Sequence, residues 1–423
     1  MLFRGTATAA ITLAEDAGWC WFQNPRAIIS NGVLWAGYVC SGYQNPEIAG
    51  QIRVVEHHLD SAHTTEHILF QPSDREVAST WVDDHNAPSL IALPNGDILA
   101  AFTRHGRDEK VHFAQVSPRK GSATVSRWTW ALPPESRVTY SNLVYLESEQ
   151  RLFNFFRGLN GSWKPSLMVS DDWGRSWHGY SILVDVAEES RKQRPYILIS
   201  SNGVDDIHFV FTDDHPRDSP NSLYYMKYES GKGLSDTDGK PLGDFATGIS
   251  HPSKASVIHS GSPDAVAWPL QLSGSACGEQ QVLYQLSNHR HRSGGEKESV
   301  IDYWFGVQKH HKWRKRFLAR AGSQLYKGED DYSGLAAMNP GSLRPRAIIS
   351  TNKNPNSGRA STGWRLWRKA KWGLRWQPIR RSAAKNQHRP LILDAPDGPR
   401  ILWLEGEMTS YRNFRYRLKM SRL

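Results

Sequence analysis

The stretch STWVDDHNAPSLIALPNGDILAAFTRHG (79–106) holds two apolar runs on either side of Pro94, Asn95, Gly96 and Asp97. Short apolar runs flanking such turn residues read as an antiparallel hairpin. His85 stands just before the first run and His105 at the end of the second, so a hairpin here would bring the two histidines to one end.

The same pattern recurs along the chain, while helical periodicity is nearly absent. It returns in PRAIISNGVLWAGYV (from Pro25), SNLVYLESEQRLFNFF (from Ser141), RPYILISSNGVDDIHFVF (from Arg194), WPLQLSGSACGEQQVLYQL (from Trp268) and RPLILDAPDGPRILWL (from Arg389). A weaker copy, RPRAIISTNKNPNSGRASTGWRLW, begins at Arg344. With the first hairpin these make seven units, starting near 25, 88, 141, 195, 269, 345 and 390. Radial repetition of four-stranded units is the signature of a propeller. The expected fold is therefore all-β, a seven-bladed β-propeller of four-stranded antiparallel blades in a single domain spanning 1–423. A β-sandwich with a smaller domain is weaker, because no linker or composition shift divides the chain. The Gly/Ser-rich pieces 231–244 and 353–363 read as long inter-strand loops. SDDWGRSW (170–177) fits S-x-D-x-G-x-[ST]-W, an Asp box. In it Asp172 should cap a turn through backbone amides, Gly174 should take positive φ, and Trp177 should pack beneath.

The 423 residues carry a formal charge of +10, which favours a polyanionic partner. Basic residues concentrate in HHKWRKR (310–316) and RWQPIRR (375–381). No RNA-binding signature, zinc-finger spacing or basic tail accompanies them, so nucleic acid is not the expected partner. No apolar run reaches the length of a membrane span. Three cysteines exclude a disulfide framework, although Cys20 and Cys40, near the ends of a predicted hairpin, could pair in an oxidising compartment. The opening MLFRGTATAAITLAEDAG has no apolar signal-peptide core, whereas the sequon at Asn160 is compatible with a secretory route.

Propellers bind substrate where loops and inner-strand ends surround the channel. His85 and His105 flank unit two in this way; Tyr140 precedes unit three and Arg157 ends its second strand. Arg194 and Tyr196 open unit four, and His215 closes it. Any one of these side chains alone is ordinary surface or packing chemistry; their recurrence at matching points is the signal. Together they suit proton abstraction from carbon 5 of a uronic acid. Arg offers a bidentate partner for the carboxylate, and His or Tyr can serve as base and as acid for the oxygen leaving carbon 4. The catalytic candidates are His85, His105, Tyr140, Arg157 and Tyr196, with Arg194, Asn86, Arg104, His215 and Trp163 as substrate-binding candidates. A sialidase lacks its arginine signature here, NPRA (24–27) being a poor substitute. A glycosidase needs two carboxylates, and Asp83 and Asp84 read instead as turn caps on opposite faces of a strand. For a metal, Cys277, His289 and His291 share one hairpin and His208 and His215 another, without a standard zinc spacing; structural Ca2+ would leave no sequence signal. The chemistry itself requires no cofactor.

DDHNAPSLIALPNGDILAAFTRHG, the Asp box and TDDHPRDSPNSLYYMKY (212–228) resemble the BNR-repeat polysaccharide lyases, seven-bladed propellers that include ulvan lyases and L-rhamnose-α-1,4-D-glucuronate lyases. The resemblance is clearest over about 80–230. It implies β-elimination at a uronate whose carbon 4 carries rhamnose; within the family, release of terminal L-rhamnose from a rhamnosyl-glucuronate of arabinogalactan or gum arabic-type glycans is the favoured expectation, ahead of ulvan cleavage. It carries the histidine pair onto His85 and His105, and Tyr140, Arg157 and Tyr196 onto corresponding positions. Some relatives hold a structural zinc near the HPR segment; here Met226 stands where a further ligand is expected. The resemblance implies a secreted, monomeric enzyme acting on an acidic rhamnose- and glucuronate-containing polysaccharide. The alternatives are an endo-acting ulvan lyase and a non-catalytic lectin for acidic glycans.

Overall fold

The hairpin at the centre of the opening stretch forms as its residues dictate. Strands Ser89–Ala92 and Ile98–Phe102 pair in antiparallel register, Ser89 opposite Ala101 and Ala92 opposite Ile98. Leu93 and Asp97 close the turn through a 2.8 Å backbone hydrogen bond, with Gly96 at φ +86°. A side chain at that φ would be strained. The structure is a computed structural model that describes residues 10–118, 123–186, 193–274, 278–288, 299–326, 332–339, 347–369, 375–380 and 385–423.

Seven antiparallel sheets follow one another along the chain as blades. Blade 1 spans Ala27–Ser30 to Thr64–Phe70, blade 2 Ser89–Ala92 to Thr124–Ala131, and blade 3 Thr139–Leu146 to His178–Ile182. Blade 4 runs from Ile197–Ser201 to Ser256–His259 and blade 5 from Val266–Gly274 to Lys312–Gly322. Blade 6 runs from Ala336–Met338 to Trp376–Pro378. Blade 7 takes three strands from Asn386–Leu393 to Asn413–Arg422, and its outermost strand, Ile11–Ala14, from the other end of the chain. That pairing, Ile11 opposite Met420, closes the ring by joining the two ends of the chain in one blade.

Two sequence expectations need correction. The run read as the start of unit six is its second strand, Ala347–Lys353; the innermost strand is Ala336–Met338, three buried residues too short to show a pattern. Blade 4 is also enlarged. Its third strand, Leu223–Glu229, pairs near one end with Ser256–His259 and near the other with Gly233–Ser235, which continues to Pro241–Gly243. The 231–244 segment is thus an added hairpin.

The Asp box forms the turn between the third and fourth strands of blade 3. Asp172 accepts from Ser176 N (2.8 Å) and Ser176 Oγ (2.6 Å), Gly174 adopts φ +86°, and Trp177 is buried with Nε1 donating to Gly174 O at 3.0 Å. Trp128 of blade 2 donates to the same carbonyl, so the box also fastens adjacent blades. Cys20 and Cys40 are buried free thiols, not a disulfide, and Cys277 lies outside the described residues. No described helix is long and apolar enough to cross a membrane.

Candidate active site

The helix Arg75–Trp81 leads into a single 3-10 turn, Asp84–Asn86, immediately before blade 2. Asp83 caps this turn, accepting from His85 N at 3.0 Å. The same carboxylate joins the two histidines: Oδ1 lies 2.7 Å from His85 Nδ1 and Oδ2 3.0 Å from His105 Nδ1. A carboxylate only accepts, so both Nδ1 atoms carry hydrogen. Asn86 fixes the second histidine's backbone, its Oδ1 accepting from His105 N at 2.8 Å while Nδ2 donates to Trp81 O. Asp84 Oδ1 lies 2.8 Å from His85 Nδ1, and its Oδ2 accepts from Arg389 Nη1 at 2.6 Å. The two aspartates therefore act on one imidazole from a turn. The expectation of opposite faces fails because the segment is not a strand.

Tyr140 reaches the histidines through a backbone irregularity. It sits at φ +61° where the pairing of the first two strands of blade 3 slips between Thr139 and Asn142. Arg389, at φ +52°, occupies the equivalent slip in blade 7, between His388 and Leu391. Bulges of this kind re-aim a side chain at a functional site. The Tyr140 ring lies 5.4 Å from His85 and 5.8 Å from Tyr196, which in turn meets His215 edge-on at 5.3 Å.

Arg157 ends the second strand of blade 3 and lies under these rings. Its guanidinium carbon is 5.0 Å from the Tyr140 centroid, 4.2 Å from Tyr196 and 5.4 Å from Trp163. Trp163 fits there because residue 106 is glycine; a Cβ at Gly106 would lie 2.6 Å from Trp163 Cη2. Arg157 is 4% exposed, and its Nε and Nη1 have no partner among the described residues. A buried guanidinium without a carboxylate is costly. Its Nε and Nη1 hydrogens can donate to an anion.

The electrostatics divide the two imidazoles. Burial opposes charge on His85, yet Cys20, Asp84 and Asp83 hold it well above the ordinary histidine range. Burial also raises the Cys20 thiol and keeps it neutral, so the carboxylates are the effective partners at neutral pH. His105 moves the other way, lowered by burial and then by the charge of His85. Asp83 is pushed up by burial, but His105 and His85 hold it well below the carboxylate range. Burial raises Tyr140 well above its ordinary value, and neighbouring Tyr196 adds to this. At neutral pH the site thus holds an imidazolium at His85, a neutral imidazole at His105 and a protonated phenol at Tyr140.

The site therefore brings together His85, His105, Tyr140, Arg157, Tyr196, His215 and Trp163. Asn86 is fully buried and spends its amide internally, so it positions His105 and is not placed to touch substrate. Arg104 turns away to Asp108 (2.6 Å) and over Trp81, and Arg194 pairs with Asp218 (2.5 Å); neither joins the ring cluster. Sequence reasoning missed Asp83 and Asp84 as histidine partners. It also missed Tyr332, whose hydroxyl is 3.2 Å from His85 Nε2, Tyr411, edge-on to His85 at 5.0 Å, and Arg389. Arg389 had a readable signal: RPLIL at 389–393 matches RPYIL at 194–198.

A zinc near the HPR segment does not fit. His208 engages Tyr225 and Gln280, His215 engages Arg217, and among the described residues the two join no common ligand set. His289 and His291 lie outside the described residues. Ligand-type atoms do gather at Cys20–Asp84–His85 and at Asp83–His85–His105, where Arg389 also pairs with Asp84.

A family model described as BNR repeat-containing family member matches residues 35–321. Among solved structures, the chain is similar to a PL25 ulvan lyase bound to -[GlcA(1-4)Rha3S]-, with TM-score 0.63, 12% identity, and coverage of 98% of this chain and 96% of that one. It is also similar to the polysaccharide lyase Uly1, with TM-score 0.58, 10% identity, and coverage of 100% and 94%. No curated protein matches by sequence.

Proposed function

The chain belongs to the BNR repeat-containing family, and from that premise we propose that it is a polysaccharide lyase cleaving the rhamnose-α-1,4-glucuronate bond by β-elimination. The observation that carries the reading is Arg157, a buried guanidinium whose Nε and Nη1 have no partner among the described residues, beside a neutral imidazole and a protonated phenol. In the proposed reaction Arg157 binds the glucuronate carboxylate and stabilises the charge that builds on it in the transition state. His105, with Nδ1–H held by Asp83, takes the carbon 5 proton at Nε2. The C–H electron pair becomes the C4=C5 double bond, the C4–O4 bond breaks, and O4 leaves with the Tyr140 proton. Imidazolium and phenolate then reset through solvent. Charged His85 keeps its neighbour neutral. These steps use only the chain's own side chains.

The deep burial of His85, Tyr140, Arg157, Tyr196 and His215 supports action at a chain end, with release of terminal L-rhamnose from arabinogalactan or gum arabic-type glycans. Such a substrate places the enzyme outside the cell. The likeness to ulvan lyases keeps internal cleavage of ulvan as the second reading. Incubation with gum arabic and with ulvan, following the ultraviolet absorbance of the unsaturated uronate and free rhamnose, tests both. Gum arabic should give product and rhamnose together. Binding to either polymer without absorbance would leave a lectin in place of an enzyme.

A further inference from the structure

The positive charge of the chain is concentrated. Residues 299–381 hold 18 Lys and Arg against 4 Asp and Glu, a net +14 within a whole-chain charge of +10, so the remaining residues sum to −4. This segment covers the outer half of blade 5 and all of blade 6. Both basic runs seen in the sequence lie in it, at or beside the outermost strands Lys312–Gly322 and Trp376–Pro378, Arg381 lying outside the described residues. Lys312, Arg314, Lys315 and Arg316 are exposed on Lys312–Gly322, and Arg375 and Arg380 are exposed around Trp376–Pro378.

The outer strand of blade 5 lies against blade 6. Thr351 Oγ1 donates to Arg320 O at 3.0 Å and Asn352 Nδ2 to Ser323 Oγ at 2.8 Å, fixing blade 6 against the outer strand of blade 5. Alternation along the strand puts Lys312, Arg314 and Arg316 on one face. Lys369 lies over Trp376 at 5.5 Å, and its ammonium is lowered first by burial and then by the charge of Arg316. Among the described residues no carboxylate pairs with Lys312, Arg314, Arg316, Lys369 or Arg375; Asp302 is taken by Arg320 at 3.2 Å. Like charges gathered without acids repel one another.

This surface is separate from the candidate active site. Active-site residues precede first strands and end second strands. The turn between the third and fourth strands of blade 5, at His310 and His311, lies at the other end of the blade.

We propose that the outer edge of blades 5 and 6 is a second, non-catalytic binding surface for a polyanionic glycan. Its cations take the carboxylates or sulfates of the chain. The choice of glycan over nucleic acid rests on the lyase reading: a polymer that also carries the active site's substrate gains avidity by engaging two surfaces at once.

The test is affinity electrophoresis through gels containing gum arabic or ulvan, comparing the wild-type chain with K312E/R314E/K369E, whose folding is checked by thermal melting. The wild-type chain should be retarded, less so at high ionic strength, and the variant should lose affinity on the order of tenfold. Its turnover of a short rhamnosyl-glucuronate oligosaccharide should be unchanged. Equal retardation of both proteins, or tighter binding of double-stranded DNA than of either glycan, overturns the surface. Charge-dependent retardation with no unsaturated product from any substrate overturns the lyase reading and leaves the surface standing.

Discussion

The rings of His85 and His105 lie face to face, with centroids 4.2 Å apart and planes 14° apart. Two imidazolium ions at that separation repel strongly in a buried site. Asp83 and Asp84 place the single charge on His85, and His105 is left neutral. The pair works as a fixed cation beside a base.

The pH profile should follow from that division. His105 must be neutral to accept a proton, and its pKa is lowered from 6.5. Thus kcat/KM should fall only below about pH 6.5 and stay level through neutrality. Linkage acts on stability through other groups. His85, raised in the folded state, stabilises fully below its unfolded value, and that contribution fades as pH rises through the folded one. Asp83, depressed in the folded state, stabilises above its unfolded value and loses this as pH falls towards the folded one. An acid limb of kcat/KM centred above pH 7 would remove His105 as the base.

Asp83→Asn keeps the shape of the side chain and removes its charge. The amide cannot hold both Nδ1–H groups, so His105 can adopt the wrong tautomer and His85 loses part of its counter-charge. Activity should fall by about 10²–10⁴. Breaking a buried pair costs about 3–5 kcal/mol, and this variant should lie at the low end because Asp84 remains with His85. Imidazole proton resonances should report a lowered His85 pKa. Wild-type kinetics in this variant would mean that Asp83 is only a turn cap.

What the sequence revealed and concealed divides along physical lines. Hairpins with local turns, such as Ser89–Phe102, and the Asp box carry their instructions within eight to twenty residues. His85, His105, Tyr140, Arg157 and Tyr196 were legible because repeated units place their strand ends on one rim. The Asp83–Asp84 bridge was hidden because a 3-10 turn and a strand impose different side-chain directions, and the residues before blade 2 fit either. Tyr332 and Tyr411, from blades 6 and 7, reach His85, and Arg389 of blade 7 reaches Asp84, only once the ring has closed. No local pattern announces that closure.

Arg157 should act through the substrate carboxylate. Arg157→Ala should lower kcat/KM by about 10²–10³, the scale for losing one preorganised charge-stabilising group. Arg157→Lys should recover only part of this, because an ammonium keeps the charge and lacks the fork. The decisive comparison uses carboxyl-reduced substrate, on which the wild-type enzyme should already be slow and Arg157→Ala should be little slower. Independent, fully additive losses would separate Arg157 from the carboxylate.

Tyr140→Phe removes the proposed acid and little else. Phe fills the same space over Arg157, and the φ of +61° strains either residue alike. The melting temperature should hardly change, while kcat on native substrate should drop by about 10²–10⁴. The readout specific to an acid is the leaving group. With a phenol at carbon 4 in place of a sugar alcohol, the departing oxygen needs no proton, and Tyr140→Phe should approach wild-type turnover. A nucleophile, a base or a packing residue would lose as much with one leaving group as with the other. Equal losses would take the proton donor away from Tyr140 and move it to Tyr196, whose ring centre lies 5.8 Å away on the same guanidinium.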